Sequence, residues 1–297
     1  MLRIGLFLAT NIAILALVSI IFKVLGLEHY LSQQGMESNL TVLLMFCGIF
    51  GMAGSIISLL MSKFLAKRGT GTQIIENPST ENERWLVDTV AQLARKADIE
   101  MPEVGIFPAQ QSNAFATGWN KNKALVAVSA GLLNRFDKEE IRAVLAHEIG
   151  HVANGDMITL ALVQGVVNTF VMFFARIIGS FIDRAIFKNE RGHGIGYFVT
   201  VMVLQVVLGI LASTIVMWFS RWREFRADAA GAHLATRAGM IGALQRLQAE
   251  SEAHIPSAMP DTMTALGISG GWKKHASRLF MTHPPLAERI EALRRGL

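Results

Sequence analysis

Four long apolar runs constrain the fold of this chain more than any other feature of its sequence. They cover Ile4 to Phe22, Leu40 to Met61, Met157 to Phe174 and Tyr197 to Phe219. Each run is close to the ~20 residues that an α-helix needs to cross the hydrocarbon core of a bilayer. A cleaved signal peptide is the competing interpretation of the first run, but that run is long and a second one follows it. The sequence therefore predicts an α-helical multi-pass membrane protein with four spans.

Composition and charge agree with a membrane protein. Hydrophobic residues make up 52% of the chain and charged residues only 17%, against ~25% charged residues in soluble domains. The net charge is +5, but the basic residues form no tract with interleaved aromatics, so we expect no nucleic-acid partner. Several of them lie beside the apolar runs, namely Lys63, Lys67, Arg68, Arg221, Arg223 and Arg226. This pattern predicts that the adjoining segments are cytoplasmic, although Arg184, Lys188 and Arg191 in the opposite loop argue mildly against it.

The segments between the spans look like parts of one water-soluble domain. The predicted organisation is a first pair of spans, the first part of a catalytic domain, a second pair of spans and the second part of that domain, at 1–62, 63–156, 157–219 and 220–297. Thr80 to Lys96 is amphipathic and predicts a helix, whereas Glu103 to Phe107 and Ala124 to Ser129 predict short strands. We therefore expect a mainly helical α+β domain.

An H-E-x-x-H sequence, at His147 to His151, lies in a helical run that opens at Asp137 and ends near Gly155. At ~100° per residue the two histidines share one helix face and can bind one metal ion, with Glu148 beside them. A catalytic zinc uses three protein ligands and one water. Because Cys47 is the only cysteine, the third ligand must be His, Asp or Glu. The alternative is an ordinary amphipathic helix with two solvated histidines.

The third ligand is predicted just after the fourth apolar run. Glu224 and Asp228 are four residues apart on one helix face among small residues, which permits close approach to the H-E-x-x-H helix. We expect Glu224 to bind the metal and Asp228 to accept the ring N–H of a liganding histidine. Two spans separate the motif from Glu224, so the motif and Glu224 lie on the same side of the membrane. Because each is only a few residues from a span, we expect the zinc ~10 Å from the bilayer surface. The alternative is a solvated face paired with arginines.

A segment of small and apolar residues, Gln111 to Gly118, predicts an exposed edge strand on which a peptide can pair through its backbone. The candidate substrate-binding residues are Asn113, Ala114, Phe115 and Ala116. An ordinary core strand and turn is the alternative.

Four motifs together resemble the HtpX family of bacterial inner-membrane heat-shock zinc proteases, which is related to the CAAX prenyl proteases. They lie at 147–156, 224–228, 112–118 and 282–290. The resemblance implies a gluzincin-type metallopeptidase fold, one zinc ion per chain and cytoplasmic cleavage of misfolded membrane proteins. It also implies a role in envelope quality control, with other membrane quality-control proteases as partners.

For the chemistry we expect Glu148 to take a proton from the attacking water. The oxyanion that forms usually needs a second donor, and we favour His283, because Pro284-Pro285 stiffens the backbone after it. The alternative is that these residues merely start the final helix, Leu286 to Arg295. Competing functions are a non-proteolytic zinc-containing scaffold or chaperone, and a transporter. The transporter is disfavoured because charges inside the spans are nearly absent.

Overall fold

The computed structural model describes residues 37–186, 188, 195–252 and 283–296. In chain order its elements are α1 (Glu37–Thr70), β1 (Gln73–Ile74), α2 (Glu81–Lys96), β2 (Glu103–Phe107), β3 (Ala114–Thr117), β4 (Leu125–Ser129), α3 (Ala130–Arg135), α4 (Lys138–Asn154), α5 (Asp156–Ala185), α6 (Ile195–Leu234), α7 (Arg237–Glu252) and α8 (Leu286–Arg295). The described chain is therefore mainly helical, with one small sheet.

Three of these helices are long and apolar enough to cross a membrane. The qualifying segments are Leu43–Thr70, Asp156–Ala185 and Val199–Leu234. The helices to which they belong, α1, α5 and α6, contain the second, third and fourth predicted runs. The first predicted span, Ile4 to Phe22, lies outside the described residues, so the count of four stays a prediction.

The described residues divide into two compact units, one within 37–58 and 159–216, the other within 59–158 and from 217 onwards. In the first unit α1 and α5 touch at glycines. A Cβ on Gly51 would lie 2.6 Å from Thr169 Oγ1, and one on Gly165 would lie 2.6 Å from Met52 Sδ. Glycine at these positions therefore permits backbone contact that any side chain would prevent.

The second unit contains a four-stranded mixed sheet in the order β1-β2-β4-β3. Strands β2 and β4 are parallel, whereas β1 and β3 run antiparallel to their neighbours. The strand predicted at Glu103 to Phe107 is β2, and the one predicted at Ala124 to Ser129 is β4, one residue shorter. The segment predicted to be an edge strand contains β3, which lies at one edge of the described sheet.

Helix α4 lies in the centre of the second unit, between two apolar clusters. One cluster joins it to α2 and the sheet, through buried side chains that include Leu86, Leu93, Val126, Leu145 and Ile149. The other joins it to α7 and α8, through Ala143, Met240, Leu244, Ile290 and Leu293. Burial of one such leucine or isoleucine contributes about 1.5–3 kcal/mol. The helix that carries the H-E-x-x-H sequence is thus held on both sides.

Arg223, one of the basic residues beside the predicted spans, makes an internal contact. Its side chain is buried, and Nη1 donates to the main-chain carbonyl of Asp156 at 2.8 Å. Lys63 and Lys67 form ion pairs with Glu103, at 2.7 and 2.5 Å. Arg223 therefore joins α6 to the start of α5, a role that its position next to an apolar run does not indicate.

Candidate metal centre

Helix α4 has well-defined ends, and these fix the positions of the two motif histidines. Its first turn is closed by a reciprocal pair, in which Glu140 N–H donates to Asp137 Oδ1 at 2.8 Å and Asp137 N–H donates to Glu140 Oε2 at 3.1 Å. It ends where Gly155 adopts a left-handed conformation with φ of 64°, which glycine tolerates at a helix C-terminus. Between these ends the rings of His147 and His151 lie 4.7 Å apart, edge to face.

Helix α6 brings Glu224 to these histidines because small residues let α4 and α6 approach closely. A Cβ on Gly150 would lie 2.8 Å from the Cβ of Ala230. A Cβ on Gly231 would lie 3.3 Å from the backbone nitrogen of His147. The structure agrees with the close approach that the sequence predicts for this stretch, since larger side chains would force the two helices apart.

Three donor atoms, one each from His147, His151 and Glu224, lie within 4.8 Å of one another. His147 Nε2 is 3.7 Å from Glu224 Oε2, and His151 Nε2 is 3.3 Å from Glu224 Oε1. Tetrahedral zinc with bonds of ~2.0–2.2 Å places its ligand atoms roughly 3.3–3.6 Å apart. Glu224 Oε2 is also buried without an aligned hydrogen bond in the described part of the chain. The donor set and its spacing therefore fit a zinc ion.

Each histidine has a carboxylate beside its other ring nitrogen. His151 Nδ1 is 2.8 Å from Asp156 Oδ2. His147 Nδ1 is 2.9 Å from Asp228 Oδ1, although the two are not aligned for a linear hydrogen bond. A carboxylate at Nδ1 favours the Nδ1–H tautomer, which leaves the Nε2 lone pair for the metal. Both imidazoles thus present Nε2 on the side of Glu224.

Two neighbouring carboxylates, Asp156 and Glu224, determine the charge of His151 when no metal is bound. Burial disfavours the imidazolium, but Asp156 and Glu224 outweigh it and raise the pKa of His151 to about 10. A metal ion must bind the neutral ring. Metal binding at neutral pH therefore releases a proton from this histidine.

Replacing Asp156 with Asn is expected to weaken zinc binding about 10- to 100-fold, because the amide keeps an acceptor at Nδ1 but removes the charge that strengthens the ligand. Competition with a chromophoric chelator would measure this in detergent-purified protein. The control is Asp88→Asn on α2, an exposed residue that we expect to leave the affinity unchanged. Equal affinities in the two variants would contradict the role of Asp156.

Arg289, on α8, is a site residue that our sequence interpretation missed. Its Nε and Nη2 donate to the two oxygens of Asp228 at 2.7 and 2.6 Å, and Nη1 lies 3.1 Å from Glu224 Oε2. Arg289 as a whole is only 6% exposed. Burial alone would lower the pKa of Arg289, but Asp228 and Glu224 raise it above its usual value. Arg289 therefore balances two buried carboxylates and orients the one beside His147.

A cavity of about 600 Å³ opens beside the candidate metal ligands. Glu148 lines it, half-buried, from the same helix as the histidines. Much of the remaining wall is apolar and comprises Leu132, Val144, Met240, Ala243, Leu244 and Leu247. Glu148 thus adjoins both the candidate metal ligands and a space that can receive part of a substrate.

His283 lies at this cavity directly before α8. Its side chain is 63% exposed, and Nδ1 is 2.8 Å from Glu224 Oε2. The predicted final helix is confirmed with the same bounds, Leu286–Arg295. His283 is therefore close to the metal ligands, while its role as an oxyanion donor stays a prediction.

Strand β3 packs beside α4 and contributes to the cavity wall. Asn113 N–H donates to Ser129 Oγ and Ser129 N–H donates to the Asn113 carbonyl, both at 2.9 Å. In an antiparallel pair alternate residues turn their backbone groups to opposite edges. Phe115 therefore faces β4 as Asn113 does, whereas Ala114 and Ala116 turn their backbone groups to the outer edge of the sheet. Only these two of the four predicted substrate-binding residues can pair there.

Comparison with known proteins adds the family. Residues 80–296 match the family model described as peptidase family M48, a range that contains all three candidate metal ligands. The chain belongs to peptidase family M48. Proteins named Protease HtpX from Pseudomonas entomophila (strain L48) and Hahella chejuensis (strain KCTC 2396) are 64% and 65% identical to it, over 295 and 293 residues. Both alignments cover 99% of each chain. The resemblance to the HtpX family is thereby confirmed, and the chain is a membrane metallopeptidase.

Among solved structures, the crystal structure of S. mikatae Ste24p is similar to this M48 chain, with a TM-score of 0.61 and 21% sequence identity. The alignment covers 93% of this chain and 66% of that one, so the chain spans about two thirds of Ste24p. At this identity the likeness shows the fold alone. The M48 chain therefore has a Ste24p-like peptidase fold, whereas the gluzincin detail stays a prediction.

Proposed function

We propose that this M48 peptidase is a zinc endopeptidase of the bacterial inner membrane that cleaves misfolded or damaged membrane proteins on the cytoplasmic side. The observation that carries the proposal is the convergence of His147, His151 and Glu224, with Glu148 on the same helix beside a cavity. Three protein donors leave one tetrahedral position open, as catalytic zinc sites do, whereas structural sites have four protein ligands. The donor set therefore favours catalysis over a zinc-containing scaffold or chaperone.

The chemistry follows from the residues around the site. A zinc ion held there supplies a Lewis acid that polarises the scissile carbonyl and lowers the pKa of water towards ~7. Glu148 accepts the proton of the attacking water and delivers it to the leaving amine. Asp156 and Asp228, the latter held by Arg289, keep the two imidazoles oriented throughout. The ligand arrangement therefore needs little reorganisation during the reaction.

Substrate binding by β3 would explain a preference for unfolded protein. An extended peptide can pair with the outward-facing backbone groups of Ala114 and Ala116, in the manner of an added strand. Asn113 and Ala114 line the same cavity as Glu148, so a peptide on this edge would pass close to the catalytic groups. Folded segments have their backbone groups already paired, whereas misfolded ones offer them.

His283→Ala is expected to lower kcat about 10- to 100-fold with zinc content unchanged, since removal of one oxyanion donor has typically cost about 10²–10³ and the metal shares this role. Steady-state cleavage of a fluorogenic peptide and metal analysis would measure both quantities. The matched control is His233→Ala on α6, a histidine outside the cavity lining. Unchanged kcat in the His283 variant would place the donor elsewhere.

The location and sidedness are supported by the three apolar helices, by the bacterial sources of the HtpX relatives and by the excess of basic residues on one side of the spans. Sealed vesicles provide the test. Inverted membrane vesicles, which expose the cytoplasmic face, should cleave added unfolded casein, while right-side-out vesicles should not. Chelator should stop cleavage and added zinc should restore it. Casein that is bound but left intact would instead support the scaffold or chaperone.

A further inference from the structure

A polar cluster of Ser112, Arg135 and Glu250 joins the entrance of β3 to the last turn of α7. Glu250 Oε1 accepts from Arg135 Nε at 2.7 Å and from Ser112 Oγ at 2.9 Å. Arg135 Nη2 also lies 3.1 Å from Ser112 Oγ and donates to the carbonyl of Gln110. The Glu250 side chain is only 13% exposed. Charge-assisted bonds to a mostly buried carboxylate are the stronger kind of hydrogen bond, so this contact is more than a surface pair.

The chain that leads into β3 lies directly on α3, the helix that carries Arg135. Gly131 N–H donates to the carbonyl of Ala109 at 2.9 Å. A Cβ on Gly131 would overlap the Gln110 carbonyl, so the absence of a side chain permits this contact. The segment that leads into β3 is therefore held by contacts with both α3 and Glu250.

The cluster contacts two walls of the cavity, and its member Ser112 is part of one of them. One wall contains Ser112, Asn113 and Ala114 at the entrance of β3, and the other contains Leu247, Gln248, Ser251 and Glu252 of α7. Arg135 and Glu250 are not part of the cavity lining, yet they join these two walls. The ion pair, with the bonds from Arg135 to Ser112 and Gln110, is therefore a direct link between these two walls.

We propose that Arg135 and Glu250 are positioning residues for extended peptide substrates, because they hold the β3 edge and α7 at the spacing that an added strand requires. This deepens the proposed peptidase function and rests on it. The residues act on binding away from the scissile bond, since neither lines the cavity and neither contacts His147, Glu148 or Glu224 in the described structure. A short peptide that is bound only beside the metal would bind equally well without Arg135 and Glu250.

Glu250→Gln tests this, because it keeps the shape of the side chain and removes its charge. With a peptide of roughly ten residues, KM should rise about three- to tenfold and kcat should stay within about twofold, as loss of binding shared by ground and transition states predicts. With a peptide of roughly four residues, which spans only about 13 Å, kcat/KM should not change. Arg135→Lys, which retains the charge but not the fork of donors, should give a smaller rise in KM.

The matched control is Glu103→Gln on β2, the same change from carboxylate to amide. Glu103 pairs with Lys63 Nζ at 2.7 Å and with Lys67 Nζ at 2.5 Å, and none of the three residues lines the cavity. Loss of the ion pairs in the control should lower the free energy of unfolding, as Glu250→Gln does, but leave KM unchanged. Equal changes in KM for the two variants, or for long and short peptides, would overturn the proposal.

A binding measurement separates this proposal from the peptidase function itself. Fluorescence anisotropy of the long labelled peptide, with Glu148→Gln protein and with Glu148→Gln/Glu250→Gln protein, reports affinity without turnover. A three- to tenfold higher Kd in the double variant is expected. An unchanged Kd would overturn the positioning role even if wild-type protein cleaves, whereas failure of wild-type protein to cleave would count against the proposed function.

Discussion

Glu148→Gln protein is expected to lose about 10²- to 10⁴-fold in kcat/KM, the range that a general base contributes, while its zinc content stays that of wild type. The reason is geometric. His147, His151 and Glu224 supply the converging donor atoms, and Glu148 lies beside them on the cavity wall. The substitution therefore removes a proton acceptor and leaves the metal ligands in place.

The control for this experiment is Glu139→Gln, the same chemical change at an exposed position in the first turn of α4. It should retain full activity. Metal analysis of both variants, together with mapped cleavage products of one defined membrane substrate, distinguishes a catalytic defect from loss of zinc. Continued self-cleavage of purified, protease-free Glu148→Gln protein would exclude Glu148 as the base.

Arg289→Met is expected to destabilise the folded protein by about 3–5 kcal/mol, because removal of one partner leaves buried charge uncompensated. Arg289 is 6% exposed and contacts both Asp228 and Glu224, so two carboxylates would lose their cation. Denaturant unfolding in detergent would measure the change. Zinc must be held at one concentration, since metal bound to the folded state adds to its stability.

Two comparisons make the Arg289 result specific. Arg295→Met on the same helix removes an exposed pair with Glu291, at 2.9 Å, and should cost less than about 0.5 kcal/mol. Adding Asp228→Asn to Arg289→Met should recover part of the loss, because one of the uncompensated charges is gone. A loss as small as that of Arg295→Met would show that the buried cluster does not depend on Arg289.

The local parts of the site were predictable because their signals are close together in the sequence. Asp137 and Gly155 mark the ends of α4, and the four-residue spacing of His147 and His151 places them on one face. The prediction of Glu224 required one further argument. An even number of spans separates it from the motif, which places both on the same side of the membrane. The structure brings all three residues together, so helix periodicity and membrane topology were enough to find the donor set.

The supporting residues were harder to predict because their partners are set by tertiary packing. Arg289 follows Asp228 by 61 residues, and nothing in its own helix distinguishes it from the exposed Arg294 and Arg295. The sequence signal for Arg289 was its position in the motif at 282–290. Asp156 is five residues after His151, just beyond the glycine, so it was close enough to suspect. Its carboxylate could be assigned only once the direction of α5 was known.

The sheet shows the same division between local and non-local information. The sequence predicted the strands at Glu103 to Phe107 and Ala124 to Ser129. It did not predict that β2 pairs in parallel with β4 while β3 lies at the edge. Which backbone groups of β3 face outward follows from its register with β4, because a shift of one residue would exchange Ala114 and Ala116 for Asn113 and Phe115. The sequence segment proposes four binding residues, and the strand pairing adds that Ala114 and Ala116 are the two whose backbone groups face the open edge.

The junction at Gly155 limits how this peptidase can be divided into fragments. Asp156, which holds the ring of His151, is the first residue of α5, a helix long enough to cross a bilayer. Arg223 then binds the main chain of the same residue from α6. A soluble fragment cut at the glycine would keep the H-E-x-x-H sequence and lose one of its two supporting carboxylates. The anchor and the hydrolytic centre share a residue, so a flexible linker cannot be inserted between them without changing the enzyme.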